Sequence, residues 1–208
     1  MTGSMSRVEN YLDDLFPNPK CELNYNKDYE LLLATMLSAQ TTDKRVNSVT
    51  SELFKKYPDL KSLSEANVED VIDIIRPIGT FRRKAYNLIE ISKRLCSECD
   101  GVLPNNRDYL ESLPGVGRKT VNVVLSNIYN EDVIAVDTHV ERVSKRLKLA
   151  QKKDDVLTVE RKLSKKFKKG ELSKRHHQMV LFGRYYCLAR NPKCDTCLLS
   201  DICGYKKV

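Results

Sequence analysis

Four cysteines near the end of the chain, Cys187, Cys194, Cys197 and Cys203, follow the spacing C-x6-C-x2-C-x5-C. Four thiolates inside 17 residues can converge on one metal centre. A zinc ion accepts four sulfurs in a tetrahedron, and a cubane iron–sulfur cluster also takes four cysteines. Zinc sites usually pair two short C-x2-C knuckles, and only one is present here, so spacing alone leaves both open. Pro192, Gly204 and their polar neighbours suit an irregular loop wrapped round such a centre. The remaining cysteines, Cys21, Cys96 and Cys99, read as reduced thiols. Cys96 and Cys99 form a C-x2-C pair, but no second pair stands near them in sequence.

A second place for chemistry is Leu113-Pro114-Gly115-Val116-Gly117-Arg118-Lys119, which lies between two helical patterns. Two glycines flanking one apolar residue permit backbone angles that a side chain forbids and let another backbone come close. A helix beginning at about Arg118 presents free N–H groups with positive partial charge, which is a phosphate site built from backbone. The plainer reading is an interhelical turn with glycine as a C-cap. Lys119 falls in the first turn of that helix. A lysine there can be a point-charge phosphate contact, or a nucleophile, since a helix N-terminus and partial burial both disfavour the ammonium. Asp137, in Val136-Asp137-Thr138-His139, follows a β-branched run and precedes a helix. It reads as an N-cap, and a carboxylate fixed that way can also stabilise positive charge or move protons.

The elements that must position these groups are helices. Apolar residues recur at helical spacing over Glu30–Leu37, over a helix capped by Thr41-Thr42-Asp43 with Val46, Val49 and Leu53 inward, over Ser64–Ile75, and over Phe81–Cys96. The pattern continues over Asp108–Leu113, Arg118–Tyr129, Thr138–Leu149, Val156–Phe167 and Ser173–Cys187. Val133–Val136 is the sole β-branched run, and it is brief. The expected fold class is therefore all-α.

Charge is unevenly spread. Residues 1–139 carry 17 Lys+Arg against 21 Asp+Glu, and residues 140–208 carry 19 against 7, so the net charge of +8 is −4 followed by +12. A polyanion such as nucleic acid fits the last third, with a solvated lysine face as the plainer alternative. No stretch approaches the roughly 18 apolar residues of a membrane span. The start of the chain lacks a basic segment followed by an apolar run, so no secretory signal is expected. With seven cysteines, that points to a reducing, intracellular setting rather than a disulfide scaffold.

Three segments together carry a resemblance. Leu113-Pro-Gly-Val-Gly-Arg-Lys-Thr-Val-Asn-Val-Val-Leu125, then Ile134-Ala-Val-Asp-Thr-His-Val140, then the four-cysteine loop resemble endonuclease III, the helix-hairpin-helix DNA glycosylase family with an iron–sulfur cluster. Leu37-Ser-Ala-Gln-Thr-Thr-Asp43 looks like that family's early segment, and order and spacing agree from about Asn24 to Tyr205. The resemblance implies two α-helical lobes with a DNA groove between them: residues 21–132 as a six-helix lobe holding the hairpin, and residues 1–20 with 133–208 as the cluster lobe. It implies a [4Fe–4S] cluster on Cys187, Cys194, Cys197 and Cys203. It matches Lys119 to a Schiff-base lysine, Asp137 to a catalytic aspartate, Gln40 to the residue that fills the gap left by a flipped base, and His139 to the DNA interface. Gly115, Gly117 and Arg118 would hold phosphate. Bacterial relatives often carry a large apolar wedge after Ile78-Gly79, where this chain has Thr80 followed by Phe81, both taken as DNA contacts.

The activity so implied is excision of oxidised pyrimidines through a lysine imine, followed by β-elimination at the abasic site. The partner would be double-stranded DNA containing damaged or abasic nucleotides. The protein would act as a monomer in the cytoplasm or nucleoid, away from any membrane. Two other readings compete. One is a monofunctional glycosylase of the same family, which commonly lacks a lysine at the position of Lys119. The other is a DNA-binding helix-hairpin-helix module with a structural metal, which gives Lys119 and Asp137 no joint role.

Overall fold

A computed structural model describes residues 2–205 as helices joined by short connections, with no strand among the described residues. In chain order the helices are α1 (Thr2–Leu15), α2 (Asp28–Leu37), α3 (Asp43–Lys56), α4 (Leu60–Ser64), α5 (Val68–Ile75), α6 (Phe81–Glu98), α7 (Arg107–Glu111), α8 (Arg118–Ile128), α9 (Thr138–Arg146), α10 (Val156–Lys166) and α11 (Leu172–Tyr185). The expected all-α class is what forms. Side-chain caps start most of them: Thr42, Asp59, Asn67, Asn106, Asp137 and Asp155 each accept a main-chain N–H from the first turn of the helix that follows. A cap of this kind satisfies one of the donors that a helix start leaves unpaired. No helix of the described residues is long and apolar enough to cross a membrane.

The helix expected over Ser64–Ile75 begins later, at Val68, as α5. α4 closes at Ser64, and Asn67 caps α5 through a bond from the Glu69 N–H at 2.9 Å. Val133–Val136 runs as irregular chain.

The chain divides into two compact units, residues 22–129 and residues 1–21 with 130–208. In the first, α2 is buried almost all round: Leu31, Leu32, Leu33, Ala34 and Leu37 are fully enclosed. α6 and α8 pack on it with Ala85, Leu88, Val121 and Val124. The second unit gathers Leu12, Ile134, Val140, Val143, Val159, Leu163, Met179 and Phe182 into one core. Cys21 and residues 130–132 fall in this unit, whereas the resemblance implies a hairpin lobe over 21–132. The Asp132 carboxylate explains the difference at residues 130–132, since it accepts the N–H groups of Gly170 and Leu172.

α1 is tied to α11 by polar bonds as well as by packing. Buried Arg175 donates to Asp13 at 2.8 Å and Glu171 at 2.6 Å, and Gln178 donates to the carbonyls of Leu12 and Phe16. Burial pushes the Asp13 carboxyl up, yet bonds from Lys174, Gln178 and Arg175 outweigh it and hold the group well below the usual carboxylate range.

Candidate active site and cysteine loop

The turn before α8 is built by Gly115. Its φ is +76°, and a Cβ added there would stand 2.4 Å from Asn87 Nδ2 and 3.6 Å from a side-chain carbon of Met36. Gly115 therefore serves both conformation and close approach. Gly117 differs: its φ is −109°, and nothing lies within 4 Å of an added Cβ. The two glycines do not share one backbone requirement. Gly117 is the N-cap of α8 and offers no side-chain cap, so the first N–H groups of α8 begin beside an exposed, open residue. A helix start beside open space suits an anion. Arg118 beside it is exposed, and Lys119 is half-buried in the first turn of α8.

Replacing Gly115 by alanine combines a left-handed φ with a clash. We expect a loss of about 2 kcal/mol of unfolding free energy. Gly117→Ala is expected to change stability by less than about 1 kcal/mol, because an ordinary φ and open space meet the new methyl. Urea melts of the two variants check the contrast.

Three further residues expected at DNA lie in the same unit. Gln40 follows α2 and is exposed with φ +58°; Thr80 is the N-cap of α6, exposed, with φ +56°. Phe81 is half-buried, and its ring is flanked by the guanidinium groups of Arg76 at 5.8 Å and Arg82 at 5.2 Å. A Cβ on Gly79 would stand 3.9 Å from the Gln40 carbonyl oxygen, so the loops carrying Gln40 and Thr80 are neighbours.

Asp137 belongs to the other unit. Its Oδ1 accepts the N–H groups of His139 at 2.9 Å and Val140 at 2.8 Å, so the carboxylate is fixed as the cap of α9. The segment leading to it is held by buried His176, whose Nδ1 lies 2.9 Å from the Ala135 carbonyl oxygen. The neighbouring His177 is pushed down to about 4 by burial. His139 is half-buried, and burial, against the pull of Asp137, lowers its pKa. Arg142 Nη2 lies 3.2 Å from His139 Nδ1 and donates to the Gly183 carbonyl at 2.7 Å. Gly183 is needed for that approach, because a Cβ would fall 2.9 Å from His139 Cβ.

Cys187, Cys194, Cys197 and Cys203 are unpaired as disulfides and line one cavity together with Arg146, Tyr186, Pro192 and Tyr205. Among the described residues no three His, Cys, Asp or Glu side chains are gathered as a ligand set for a single metal ion. The four thiols share one cavity. Four thiolates lining one space are the donor set a cubane takes, each holding a different iron, and equally the set that zinc draws to about 2.3 Å of one centre. Burial pushes the Cys197 thiol up against a main-chain bond at Leu199, and the other three sulfurs add to the rise, so a bound cation is what would make four thiolates tolerable here. Arg146 encloses the cavity: its Nη1 donates to Cys187 Sγ at 3.3 Å and the Leu188 carbonyl at 2.6 Å, and its guanidinium stacks 4.0 Å from the Tyr205 ring. Sequence reasoning passed over Arg146, because nothing in the run Ser144-Lys145-Arg146 distinguishes it from a surface cation.

Comparison with known proteins agrees with this geometry. Residues 33–169 match the model of the HhH-GPD superfamily of base excision DNA repair proteins, and residues 187–203 match the iron-sulfur binding domain of endonuclease III. The chain is 44% identical over 203 residues to endonuclease III of Bacillus subtilis (strain 168), covering 96% of this chain and 93% of the relative. It is 42% identical over 191 residues to that of Escherichia coli (strain K12), covering 92% and 90%. Among solved structures it resembles a trapped endonuclease III–DNA covalent intermediate, with TM-score 0.92, 43% identity and coverage of 96% and 95%. A thermostable thymine-DNA glycosylase shares the fold at TM-score 0.85 and 20% identity.

Proposed function

Since this chain belongs to the endonuclease III family within the HhH-GPD superfamily of base excision DNA repair proteins, we propose that Lys119 is its nucleophile and Asp137 its second catalytic group. The chain is a bifunctional DNA glycosylase and abasic-site lyase, and its cofactor is a [4Fe–4S] cluster. The observation that carries the residue assignment is a half-buried lysine in the first turn of α8, directly after the turn that Gly115 shapes.

The substrate class is duplex DNA bearing oxidised pyrimidines or abasic sites. A base inside a duplex hides its C1′, so the nucleotide must first be extruded, at a cost of a few kcal/mol. Pyrimidines that have lost aromaticity stack poorly, which lowers that cost. The start of α8, with Arg118, grips a phosphate, and Gln40, Thr80, Phe81 and His139 meet the duplex around the extruded nucleotide.

The neutral Lys119 amine then attacks C1′. The bond from C1′ to the base breaks, and the base leaves with a proton. Asp137 stabilises the positive charge that develops on the sugar and assists the proton transfers. Ring opening gives an imine between Lys119 and C1′. The imine acidifies the 2′ proton; its removal expels the 3′ phosphate by breaking the C3′–O bond. Hydrolysis of the imine frees Lys119.

Cys187, Cys194, Cys197 and Cys203 would hold the cluster, which contributes binding energy to folding of the loop they span and no chemical step. The protein would work as a monomer on DNA in the cytoplasm or nucleoid. Nicking of duplexes carrying thymine glycol, dihydrouracil or an abasic site tests the activity, and a purified protein that cuts none of them would end the reading.

Two further results are expected. The purified protein is yellow-brown and contains about four irons per chain, whereas a colourless protein with stoichiometric zinc would refute the cluster. Affinity for duplex DNA falls with salt, because basic side chains that neutralise phosphates release condensed counterions and added salt opposes that release, by about 10³-fold or more between 50 and 200 mM if six or more phosphates are neutralised. Fluorescence anisotropy against salt concentration measures the slope.

A further inference from the structure

Lys84 is 4% exposed, in a helix face otherwise made of Leu88, Ile91 and Leu95. Its Nζ donates to the carbonyl of Leu37 at 2.9 Å and to that of Ala39 at 2.7 Å. Those carbonyls close α2 and lead into Gln40. The last carbonyls of a helix have no partner inside it, and a cation there both bonds them and opposes the helix dipole.

The main chain of the same residue is engaged at a second loop. The Lys84 N–H donates to the Thr80 carbonyl at 3.1 Å, in the first turn of α6. One residue thus joins two exposed loops, and each loop holds a non-glycine residue in the left-handed region, Gln40 at φ +58° and Thr80 at φ +56°. Left-handed backbone costs free energy for such residues and persists only where the surroundings impose it. Burying an ammonium is costly too. Burial, and next the charge of Arg83, lowers the Lys84 pKa. An apolar side chain would pack this face of α6 without that cost but would leave the end of α2 unheld.

We infer that Lys84 is a positioning residue for damaged DNA, fixing the Gln40 loop and the Thr80–Phe81 turn as one rigid surface that enters the duplex. The inference rests on the reading of those three residues as DNA contacts. Lys84 touches no reacting atom. It sets the entropy that the two loops would otherwise lose on binding, so its effect lies in engaging duplex DNA rather than in chemistry at C1′.

Lys84→Met keeps the length of the side chain and removes the ammonium. Its KM for abasic duplex is expected to rise about tenfold, with kcat within about twofold, because bonds from a charged donor are lost while the reacting groups stay in place. In a Gln40→Ala background the same substitution should change KM less than about twofold, since residues serving one contact are not additive. An equal effect in both backgrounds, a fall confined to kcat, or no effect in either overturns the inference.

Hydrogen exchange provides a readout without DNA. Amides 38–41 of Lys84→Met should exchange about tenfold faster, with the melting temperature within a few degrees of the parent. Unchanged exchange there overturns the clamp even if the parent chain cuts no duplex, and loss of cutting by the parent strikes the proposed activity alone. Should the methionine variant fail to fold, Lys84→Gln, which keeps an amide NH2 donor and loses the charge, carries the same measurements.

Discussion

Lys119→Ala gives no covalent protein–DNA adduct when borohydride is added to a reaction on abasic or thymine-glycol duplex, whereas the parent chain gives one. The imine is the sole bond that borohydride can reduce to a stable link between this protein and C1′, so the adduct reports the amine directly. Loss of the nucleophile is expected to lower kcat by about 10³-fold or more, the scale seen when the attacking group of a covalent mechanism is removed. Duplex affinity should change little, since the phosphate contacts assigned to Gly115, Gly117 and Arg118 use main-chain donors and a neighbouring cation. Lys119→Arg separates the two roles open to a cation at a helix start. Arginine holds phosphate as well as lysine does but cannot be deprotonated to attack carbon. A trapped adduct in either variant would move the nucleophile elsewhere.

The grouping of motifs was legible because each depends on local chemistry. Thr42 and Asp137 precede helices as caps, and both accept N–H groups from the first turn that follows. The four cysteines lie within 17 residues, so a short loop suffices to bring them to one cavity. What the sequence hid depends on contacts between distant segments. Gly115 and Gly117 look alike in a turn, yet only Gly115 meets Asn87 and Met36. Lys84 follows Arg82 and Arg83, and nothing in residue type separates it from them. The signal that does is phase, since Lys84 shares its helical spacing with buried Leu88, Ile91 and Leu95. The helix expected to reach Leu149 stops at Arg146, because Lys148 turns left-handed and the N–H groups of Leu149 and Ala150 both return to the Ser144 carbonyl. Apolar periodicity continues past that stop, so pattern alone overruns it.

Asp137→Asn is expected to lower kcat by about 10²-fold to 10⁴-fold while leaving the fold intact. The cap explains why the two effects separate. Oδ1 of Asp137 takes the N–H groups of His139 and Val140 at 2.9 and 2.8 Å, and an asparagine oxygen does the same about as well. What asparagine lacks is the negative charge that would stabilise the cationic sugar and receive a proton. Asp137→Ala loses both. Its stability should fall by about 1 kcal/mol for the missing cap, which shifts the melting temperature by about 3 °C in a chain of this size. Its kcat should fall no further than that of Asp137→Asn, because the charge is gone in each. If alanine proves much less active than asparagine, the orientation of the α9 start carries the effect rather than the carboxylate charge. If asparagine is as active as the parent, Asp137 is a cap alone, and the second catalytic group lies elsewhere. Melts and single-turnover rates on thymine-glycol duplex, taken for the three proteins side by side, decide among these outcomes.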